Sequence, residues 1–456
     1  MSAWREELRA LSDRVVREVL AAVEPGVLVE RALRARAAEF EGRAWKVVAF
    51  GKASVGMVRG AVEVLGTGLV GGVVVAGELS GDGKRVERGP GTPVRRDRGG
   101  TLPSCLEVWR ADHPRPTPRN VDAARRVESF VRDVSVNERL LVLVSGGGSA
   151  YLTLPVDGVS LDEIAEVSSR LMRAGATIRE INAVRKHVER LKGGRLGAMC
   201  DAESIEALVL SDVIGDPLDV IASGPCATDR STFAEALEVM ARYDLARNPA
   251  CAGVARVLER GMRGESEETP KPDGSRLSRV RHEIVGNNTT ALHAARRIIE
   301  ASGFTVMEVR GSVEGHASSV ARRWTRESLH TKASPAGRDA WILGGETTVD
   351  VGQSTGRGGP SQEFALAAAI EIAGHKGVGV LAFSTDGGDG PTPNAGAVVD
   401  GGTVAEASAN GSDAALGLAT HDSARVLEAV GCEIRTGPTG TNVNHVAVLF
   451  RADPRR

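Results

Sequence analysis

The feature that most constrains this 456-residue chain is a repeated order of short apolar runs and amphipathic helical patterns, with glycine clusters where the apolar runs end. In the first half, four such runs have the length of buried strands: 45–50, 72–76, 139–144 and 207–210. Helical periodicity lies between them, for example over 120–134, 161–174 and 181–191. Strands that alternate with helices form mostly parallel sheets covered on both faces, so the pattern predicts an α/β fold.

A second series of strand and helix patterns begins after residue 280 and reaches a last predicted strand at 447–450. The stretch 261–279 between the two series is polar, contains prolines and carries a short acidic run, which is typical of a linker. We therefore predict two α/β domains, residues 1–262 and 280–456, each of a size that one hydrophobic core can support.

Composition excludes several classes of protein. The formal net charge is −2 and aromatic residues make up only 3%, which argues against a nucleic-acid-binding protein. No apolar run approaches the ~18 residues that a membrane-spanning helix needs, and the acidic amphipathic start is unlike a signal peptide. The five cysteines are widely spaced and form no CxxC pair, as expected in a reducing compartment. We expect the protein to be cytoplasmic.

The clearest glycine cluster follows the predicted strand 139–144, where the sequence reads Ser145-Gly146-Gly147-Gly148-Ser149. Successive glycines after a strand allow backbone N–H groups to form an anion-binding nest, for which phosphate is the natural ligand. A tight strand-to-helix turn is the alternative. A formal GxGxxG also occurs, at Gly66, Gly68 and Gly71, but it follows a helical pattern and precedes a strand, the reverse of a dinucleotide fingerprint.

Two charged residues also stand where predicted strands end. Lys52 follows the first strand and is one of only eight lysines in the chain, so we predict that it neutralises a transferring phosphoryl group. Asp212 follows the run that ends at Leu210, and its carboxylate could accept a hydroxyl proton, hold Mg²⁺ or cap the next element. Surface and capping roles are the alternatives.

Other polar groups are weaker candidates. Arg185 and Lys186 belong to a basic helical stripe that faces either an anionic substrate or solvent. Arg357 lies in a glycine loop at a helix start, where it could stabilise charge on a phosphate. Asp386 and Asp389 lie in a glycine-rich loop after a strand and are candidate Mg²⁺ ligands, with Asp386 also a second choice as proton acceptor.

Taken in order, these motifs resemble the class II glycerate kinases, which carry a C-terminal MOFRL domain. The resemblance covers the chain from about Trp45 to Phe450 and rests on these segments: 51–53, 113–114, 145–150, 182–187, 192–195, 211–216, 286–288, 344–348, 356–359 with 362–364, 384–390 and 436–442. It implies a Rossmann-like N-terminal domain with a parallel sheet, a smaller C-terminal α/β domain of MOFRL type and an active site in the cleft between them.

The resemblance also implies a reaction and roles for residues. The reaction is ATP- and Mg²⁺-dependent phosphorylation of D-glycerate to 2-phosphoglycerate, with ATP and a small hydroxy acid as partners and a homodimer as a candidate assembly. Lys52, Arg357 and Asp212 are the expected catalytic residues. Cofactor binding is expected of Ser145, Gly146, Gly147, Gly148, Ser149, Asn288 and Glu346, substrate binding of Arg185, Lys186 and Asn442, and metal binding of Asp386 and Asp389.

The sequence departs from the family pattern at four places: Tyr151, Pro360-Ser361, Pro393-Asn394 and Asn444-His445. Three of them lie in the C-terminal half and change the local charge. They keep open a related sugar acid as acceptor, or an inactive binding paralogue. Because some family members carry the label hydroxypyruvate reductase, an oxidoreductase is the remaining alternative.

Overall fold

The structure is a computed structural model that describes residues 3–77 and 102–453. The predicted exposed loop 80–100 lies outside the described residues. The chain divides into two compact units, a central unit of Pro25–Val285 and a terminal unit of Met1–Glu24 with Gly286–Arg456.

Strands and helices alternate along most of the chain, as predicted. The strands are β1 (Trp45–Phe50), β2 (Leu69–Ala76), β3 (Leu106–Arg110), β4 (Arg139–Val144), β5 (Ser204–Leu210), β6 (Val280–Gly286), β7 (Thr305–His316), β8 (Arg338–Thr348), β9 (Val378–Ser384), β10 (Gly396–Asp400), β11 (Glu433–Ile434) and β12 (His445–Ala452). The helices are α1 (Ala3–Ala22), α2 (Pro25–Arg34), α3 (Ala37–Phe40), α4 (Ser54–Leu65), α5 (Pro118–Arg132), α6 (Gly148–Tyr151), α7 (Leu161–Arg173), α8 (Ile178–Val188), α9 (Arg195–Ala198), α10 (Phe233–Arg242), α11 (Ala252–Met262), α12 (Asn288–Ala301), α13 (Ala317–His330), α14 (Pro360–Glu371), α15 (Thr403–Ala409), α16 (Ala414–Ala419) and α17 (Ser423–Glu428).

The central unit is built on a sheet with the strand order β3-β2-β1-β4-β5-β6. The pairs β1–β2, β1–β4, β2–β3 and β4–β5 are parallel, and β1, β4 and β5 are almost wholly buried apolar strands. This is the strand order of a doubly wound Rossmann sheet. The strands remain parallel, but the order in which they are added changes direction between β1 and β4. The predicted α/β fold with a Rossmann-like parallel sheet is confirmed.

The terminal unit contains a second sheet with the order β11-β10-β9-β12-β8-β7. Its strands pair antiparallel except for β7 and β8, so this sheet is mixed. Helix α14 is buried over most of its length, because its alanine-rich sequence packs closely against β9 and β10. The predicted second α/β unit is therefore present.

The first helix, α1, belongs to the terminal unit. The Arg5 guanidinium forms an ion pair with Asp400 (Nε to Oδ2, 2.7 Å) and also contacts Glu406, while the Thr441 hydroxyl donates to the Val23 carbonyl oxygen at 2.9 Å. The amphipathic pattern of this helix predicts one buried face, but does not identify the surface that covers it. The domain limits 1–262 and 280–456 stay a prediction made from the sequence.

The polar segment 261–279 packs within the central unit and does not behave as the predicted linker. Burial acts to raise the pKa of Glu268, but hydrogen bonds from His187 (2.6 Å) and from the backbone N–H groups of Thr269 and Phe233 outweigh it and lower the pKa to about 2. Glu268 in this segment is thus hydrogen-bonded to other residues of the central unit. The strand β6, which follows the segment, is the sixth strand of the first sheet.

We predict that this carboxylate makes the central unit sensitive to acid. A pKa lowered from 4.5 to about 2 means that Glu268 stabilises the fold fully above pH 4.5 and loses this contribution as the pH falls from 4.5 to 2. Because the side chain is one-third exposed, solvent screening reduces the contribution to about 1–2 kcal/mol. Urea unfolding of Glu268→Gln at pH 7 and at pH 3 should show a loss at pH 7 that shrinks at pH 3. The matched control Glu267→Gln removes a mostly exposed carboxylate and should leave both values unchanged; an equal effect of the two variants contradicts the prediction.

Candidate active site

The glycine loop 145–149 lies at the point where the strand order of the first sheet reverses. The loop leaves β4 beside the end of β1: the Ser145 N–H donates to the Phe50 oxygen (3.2 Å), and the Lys52 N–H donates to the Gly146 oxygen (2.9 Å). The Ala53 N–H donates to the Ser145 hydroxyl at 3.0 Å. Ligands of open parallel sheets bind at this switch point, so the two sequence motifs form one site.

Close packing explains why this loop is made of glycines. A Cβ atom on Gly146 would lie 2.0 Å from Oδ2 of Asp212, and one on Gly148 would lie 2.7 Å from the Ala222 side chain. Gly147 has a φ angle of 77°, which favours glycine, and precedes the first turn of α6. The start of a helix leaves its first backbone N–H groups without partners inside the helix. The loop thus offers donors to an anion at a helix start.

Asp212 reaches the same loop from the end of β5, the strand next to β4. Its carboxylate is partly exposed and packs directly against the backbone of Gly146. The structure therefore brings together three of the predicted features, namely Lys52, the glycine loop and Asp212. A positive charge, anion-binding backbone groups and a carboxylate are the elements that transfer of a phosphoryl group requires.

Two aromatic neighbours of the loop were not assigned from the sequence. The rings of His113 and Tyr151 stack with their centroids 5.7 Å apart, and His113 lies against Gly147. Burial, together with the positive charge of Lys52, lowers the pKa of His113, so the imidazole is neutral at pH 7. His113 belongs to one of the quoted family motifs and Tyr151 to the departures from the pattern. The motif at His113 and the departure at Tyr151 were therefore the sequence signals that could have identified these two residues.

The predicted substrate-binding residues Arg185 and Lys186 lie on α8 in different surroundings. The Lys186 ammonium is buried and forms ion pairs with Asp229 (3.1 Å) and Asp219 (3.4 Å), so it serves the packing of the central unit. The Arg185 guanidinium donates from Nε to the Ser168 hydroxyl at 3.0 Å and remains partly exposed. Of the two, Arg185 has the surroundings better suited to an anionic substrate.

Asp389, a predicted metal ligand, caps a helix. Its buried carboxylate accepts hydrogen bonds from the N–H groups of Ser361 (2.9 Å) and Gln362 (2.8 Å), and from the Gln362 side chain (3.0 Å). These N–H groups belong to the first turn of α14, where a negative charge is favourable. Pro360 stands at the start of this helix, a position that suits proline. The burial of Asp389 is thus explained without a metal ion.

Asp386 and two other predicted residues lie around the start of β12. Oδ1 of Asp386 accepts from the Ser384 hydroxyl (2.8 Å) and the Gly388 N–H (3.1 Å). The Asn288 amide donates to the Val443 and His445 oxygens, while its Oδ1 is buried without a partner among the described residues. Asn442 accepts from the Asn444 N–H at 3.1 Å.

His445, at one of the departures from the family pattern, lies between these groups. Burial lowers the pKa of the imidazole, although the Asp389 and Asp386 carboxylates act in the opposite sense. The exposed Glu346 side chain lies 3.5 Å from the Asn444 amide. Four of the predicted residues therefore surround one end of the strands of the second sheet, near the start of β12: Asn288, Glu346, Asp386 and Asn442.

Arg357 lies in the glycine loop that precedes α14. Its side chain is exposed and its guanidinium lies 3.6 Å from the Glu428 carboxylate, while its N–H donates to Asp422. Glu428 also accepts from Asn394, another departure from the family pattern, at 2.9 Å. A long, weakly held ion pair leaves this guanidinium able to change partner.

The described residues of the two units contain few candidates for a metal site. Within residues 3–77 and 102–453, no group of three or more His, Cys, Asp or Glu side chains is placed to hold a metal ion. Mg²⁺ in kinases is typically held by one or two carboxylates together with phosphate oxygens and water, so such a group is not required. The partly exposed carboxylates of Asp212 and Asp386 fit this mode of binding. In the same described ranges, no helix has the length and apolar character to cross a bilayer.

Known proteins that are similar to this chain match it over nearly its whole length. Residues 11–259 match a family described as a domain of unknown function (DUF4147), and residues 339–445 match the MOFRL family. The D-glycerate 2-kinase of Thermotoga maritima is 36% identical, over 97% of this chain and 98% of that protein. The glycerate 2-kinase of Pyrococcus horikoshii is 34% identical, over 98% of each.

The chain belongs to the glycerate 2-kinase family. The crystal structure of the glycerate kinase from Thermotoga maritima has a TM-score of 0.81 and 35% identity, with 98% of this chain and 100% of that chain covered. The resemblance inferred from the motifs is thus confirmed, as is the α/β architecture that it implied. In the glycerate 2-kinase fold of this chain, Gly66–Gly68 forms a short turn between α4 and β2, so the formal GxGxxG is not a dinucleotide site.

Proposed function

We propose that this chain is an ATP-dependent kinase that phosphorylates the 2-hydroxyl of D-glycerate. One observation carries the proposal: the glycine loop, Lys52 and Asp212 meet where the Rossmann sheet reverses, in a chain whose relatives over its full length are glycerate 2-kinases. The loop would bind phosphate oxygens of ATP through Ser145, Gly146, Gly147, Gly148 and Ser149.

In the proposed reaction, the acceptor hydroxyl oxygen attacks the γ-phosphorus of ATP and its proton passes to the Asp212 carboxylate. The bond from the γ-phosphorus to the bridging oxygen breaks, and that oxygen leaves with ADP. Lys52 neutralises charge on the transferring group. His113, which lies against Gly147 and stacks on Tyr151, would form part of the wall of the same site. Arg185 is proposed to bind the carboxylate of the acceptor, and Lys186 to hold α8 in place.

Residues of the terminal unit are proposed to act in the same reaction. Arg357 would pair with phosphate oxygens when it leaves Glu428, and the partnerless Oδ1 of Asn288 would accept from ATP. Glu346 and Asn442 are assigned to ATP and to the acceptor. Mg²⁺ would be held by Asp212 or Asp386, with Asp389 contributing indirectly by fixing α14, and would supply charge neutralisation at the phosphates.

The cellular setting is also proposed. The cysteines Cys105, Cys200, Cys226, Cys251 and Cys432 are all free thiols, which is consistent with action in the reducing cytoplasm. A homodimer remains a prediction, which light scattering of the purified chain would decide.

The proposal is tested by an ADP-release assay with the purified protein, ATP and Mg²⁺ and a panel of acceptors: D-glycerate, L-glycerate, glycolate and larger sugar acids. We expect D-glycerate to give the highest kcat/KM, by about tenfold or more over the other acceptors, and ³¹P NMR to show 2-phosphoglycerate. Preference for a larger sugar acid would replace the acceptor but keep the kinase. Oxidation of NADH with hydroxypyruvate, in the absence of ATP, would overturn the proposal.

A further inference from the structure

The one-turn helix α6, which follows the glycine loop, is held by side chains from distant parts of the chain. A helix of four residues does not persist by itself, and its carbonyl groups need outside partners. The Asn120 amide donates to the Ala150 oxygen (2.8 Å), and the Thr153 hydroxyl lies within 3.1 Å of the Ser149 and Ala150 oxygens. Lys192 supplies the remaining contact: its ammonium donates to the Ser149 oxygen at 2.7 Å. This donor is the charged one, and charged donors make the stronger bonds.

Lys192 is not placed where a lysine is favourable for folding. It is 1% exposed and forms a 2.5 Å ion pair with Glu189, which is 0% exposed. Burial lowers the pKa of Lys192 to about 8, despite the opposing effect of the Glu189 charge. Buried ion pairs are commonly no more stable than apolar residues of the same volume. Packing alone therefore does not account for this lysine.

A second contact reaches Ser149 from the strained turn 222–224. Ala222 and Ser223 both have positive φ angles (51° and 61°), which are unfavourable for residues other than glycine. In this conformation, the Ser223 hydroxyl lies 2.8 Å from the Ser149 hydroxyl and donates to Oδ1 of Asn182. The same turn accepts from the N–H of Gly193, directly after Lys192 (2.9 Å). Lys192 and Ser223 thus hold the two oxygens of one residue, Ser149.

We propose that Lys192 and Ser223 are positioning residues, which fix Ser149 and thereby the geometry of the phosphate-binding loop. The inference rests on the proposed function, because it concerns the loop assigned to ATP. Neither side chain is required to touch ATP. Their effect is to keep the loop donors in the orientation that binds a polyphosphate, so that little order is lost when the ligand arrives.

The test uses the full chain and two readouts. In Lys192→Met combined with Glu189→Gln, both buried charges are removed at nearly constant volume. We expect this variant to bind inorganic tripolyphosphate about 10- to 100-fold more weakly in titration calorimetry, and its KM for ATP to rise by a similar factor. The KM for D-glycerate should change less than about threefold, and the thermal midpoint should stay close to that of the wild type. Ser223→Ala, which deletes one hydroxyl, should act in the same direction by about three- to tenfold.

The matched control is Lys46→Met combined with Glu138→Gln. It removes a partly buried ion pair of 2.8 Å at the opposite end of β1 and should leave tripolyphosphate binding unchanged. Wild-type affinity and KM for ATP in the Lys192 variant, or in Ser223→Ala if the former does not fold, would overturn the inference. A wild-type chain that binds tripolyphosphate but does not phosphorylate D-glycerate would refute only the proposed function. Absence of tripolyphosphate binding in the wild type would refute the loop assignment and this inference together.

Discussion

Replacing Lys52 by alanine is expected to lower kcat by about 10³-fold, with a smaller change in the KM for D-glycerate. The reason is electrostatic, because the substitution removes a positive charge that would neutralise the transferring phosphoryl group. Lys52 follows the end of β1, and its backbone N–H donates to the Gly146 oxygen of the glycine loop. Its charge also lowers the pKa of His113, a residue that lies against Gly147 of the same loop. The measurement is steady-state ADP release at saturating ATP.

The control for Lys52 lies on the same strand. Lys46 stands near the beginning of β1 and pairs with Glu138, away from the loop. Lys46→Ala should retain kcat within about twofold of the wild type. If Lys52→Ala retained near-normal turnover while remaining folded, the role assigned to this lysine would be wrong.

Asp212→Asn is expected to lower kcat by about 10²–10⁴-fold, because the amide cannot accept the proton of the acceptor hydroxyl. The substitution keeps the shape of the side chain, which matters because the carboxylate lies against Gly146. Substrate binding should therefore persist, so KM for ATP and D-glycerate should change much less than kcat. Rapid-quench measurement of a single turnover would show whether the chemical step is the one that slows.

A second aspartate provides the comparison. Asp201 is exposed and precedes β5, whereas Asp212 follows it, so the two lie at opposite ends of one strand. Asp201→Asn should leave kcat within about twofold of the wild type. Near-normal turnover of Asp212→Asn would transfer the proton-accepting role to Asp386, the second choice, and Asp386→Asn would then be the variant to measure.

The core of the site was predictable because it depends on local sequence. An apolar run, glycines and the first turn of a helix are contiguous along the chain, so the loop at 145–149 and the lysine after β1 could be recognised without the fold. The same holds for the alternation that predicted the Rossmann-like sheet. Lysine is scarce in this chain, which singles out Lys52, but the same scarcity applies to Lys192, whose buried contacts with Glu189 and Ser149 only the fold reveals.

The rest of the site depends on pairs of residues that are far apart in the chain. Asp389 was a candidate metal ligand by its spacing from Asp386, yet its oxygens hold the first turn of α14, 27 and 28 residues earlier. Lys186 was placed on a basic face by helical periodicity, but periodicity does not reveal that Asp229 lies opposite it. Likewise, an amphipathic pattern could not show that α1 packs in the terminal unit.

The sequence by itself therefore determined the α/β class, the glycine loop with Lys52, and membership of the family. The tertiary structure decided which strands are neighbours, which acidic groups are already occupied, and which buried charges support the loop. The physical reason is that hydrophobic periodicity and backbone conformation act over a few residues. The pairing of a polar group, by contrast, is set by whatever the folded chain brings within hydrogen-bond distance.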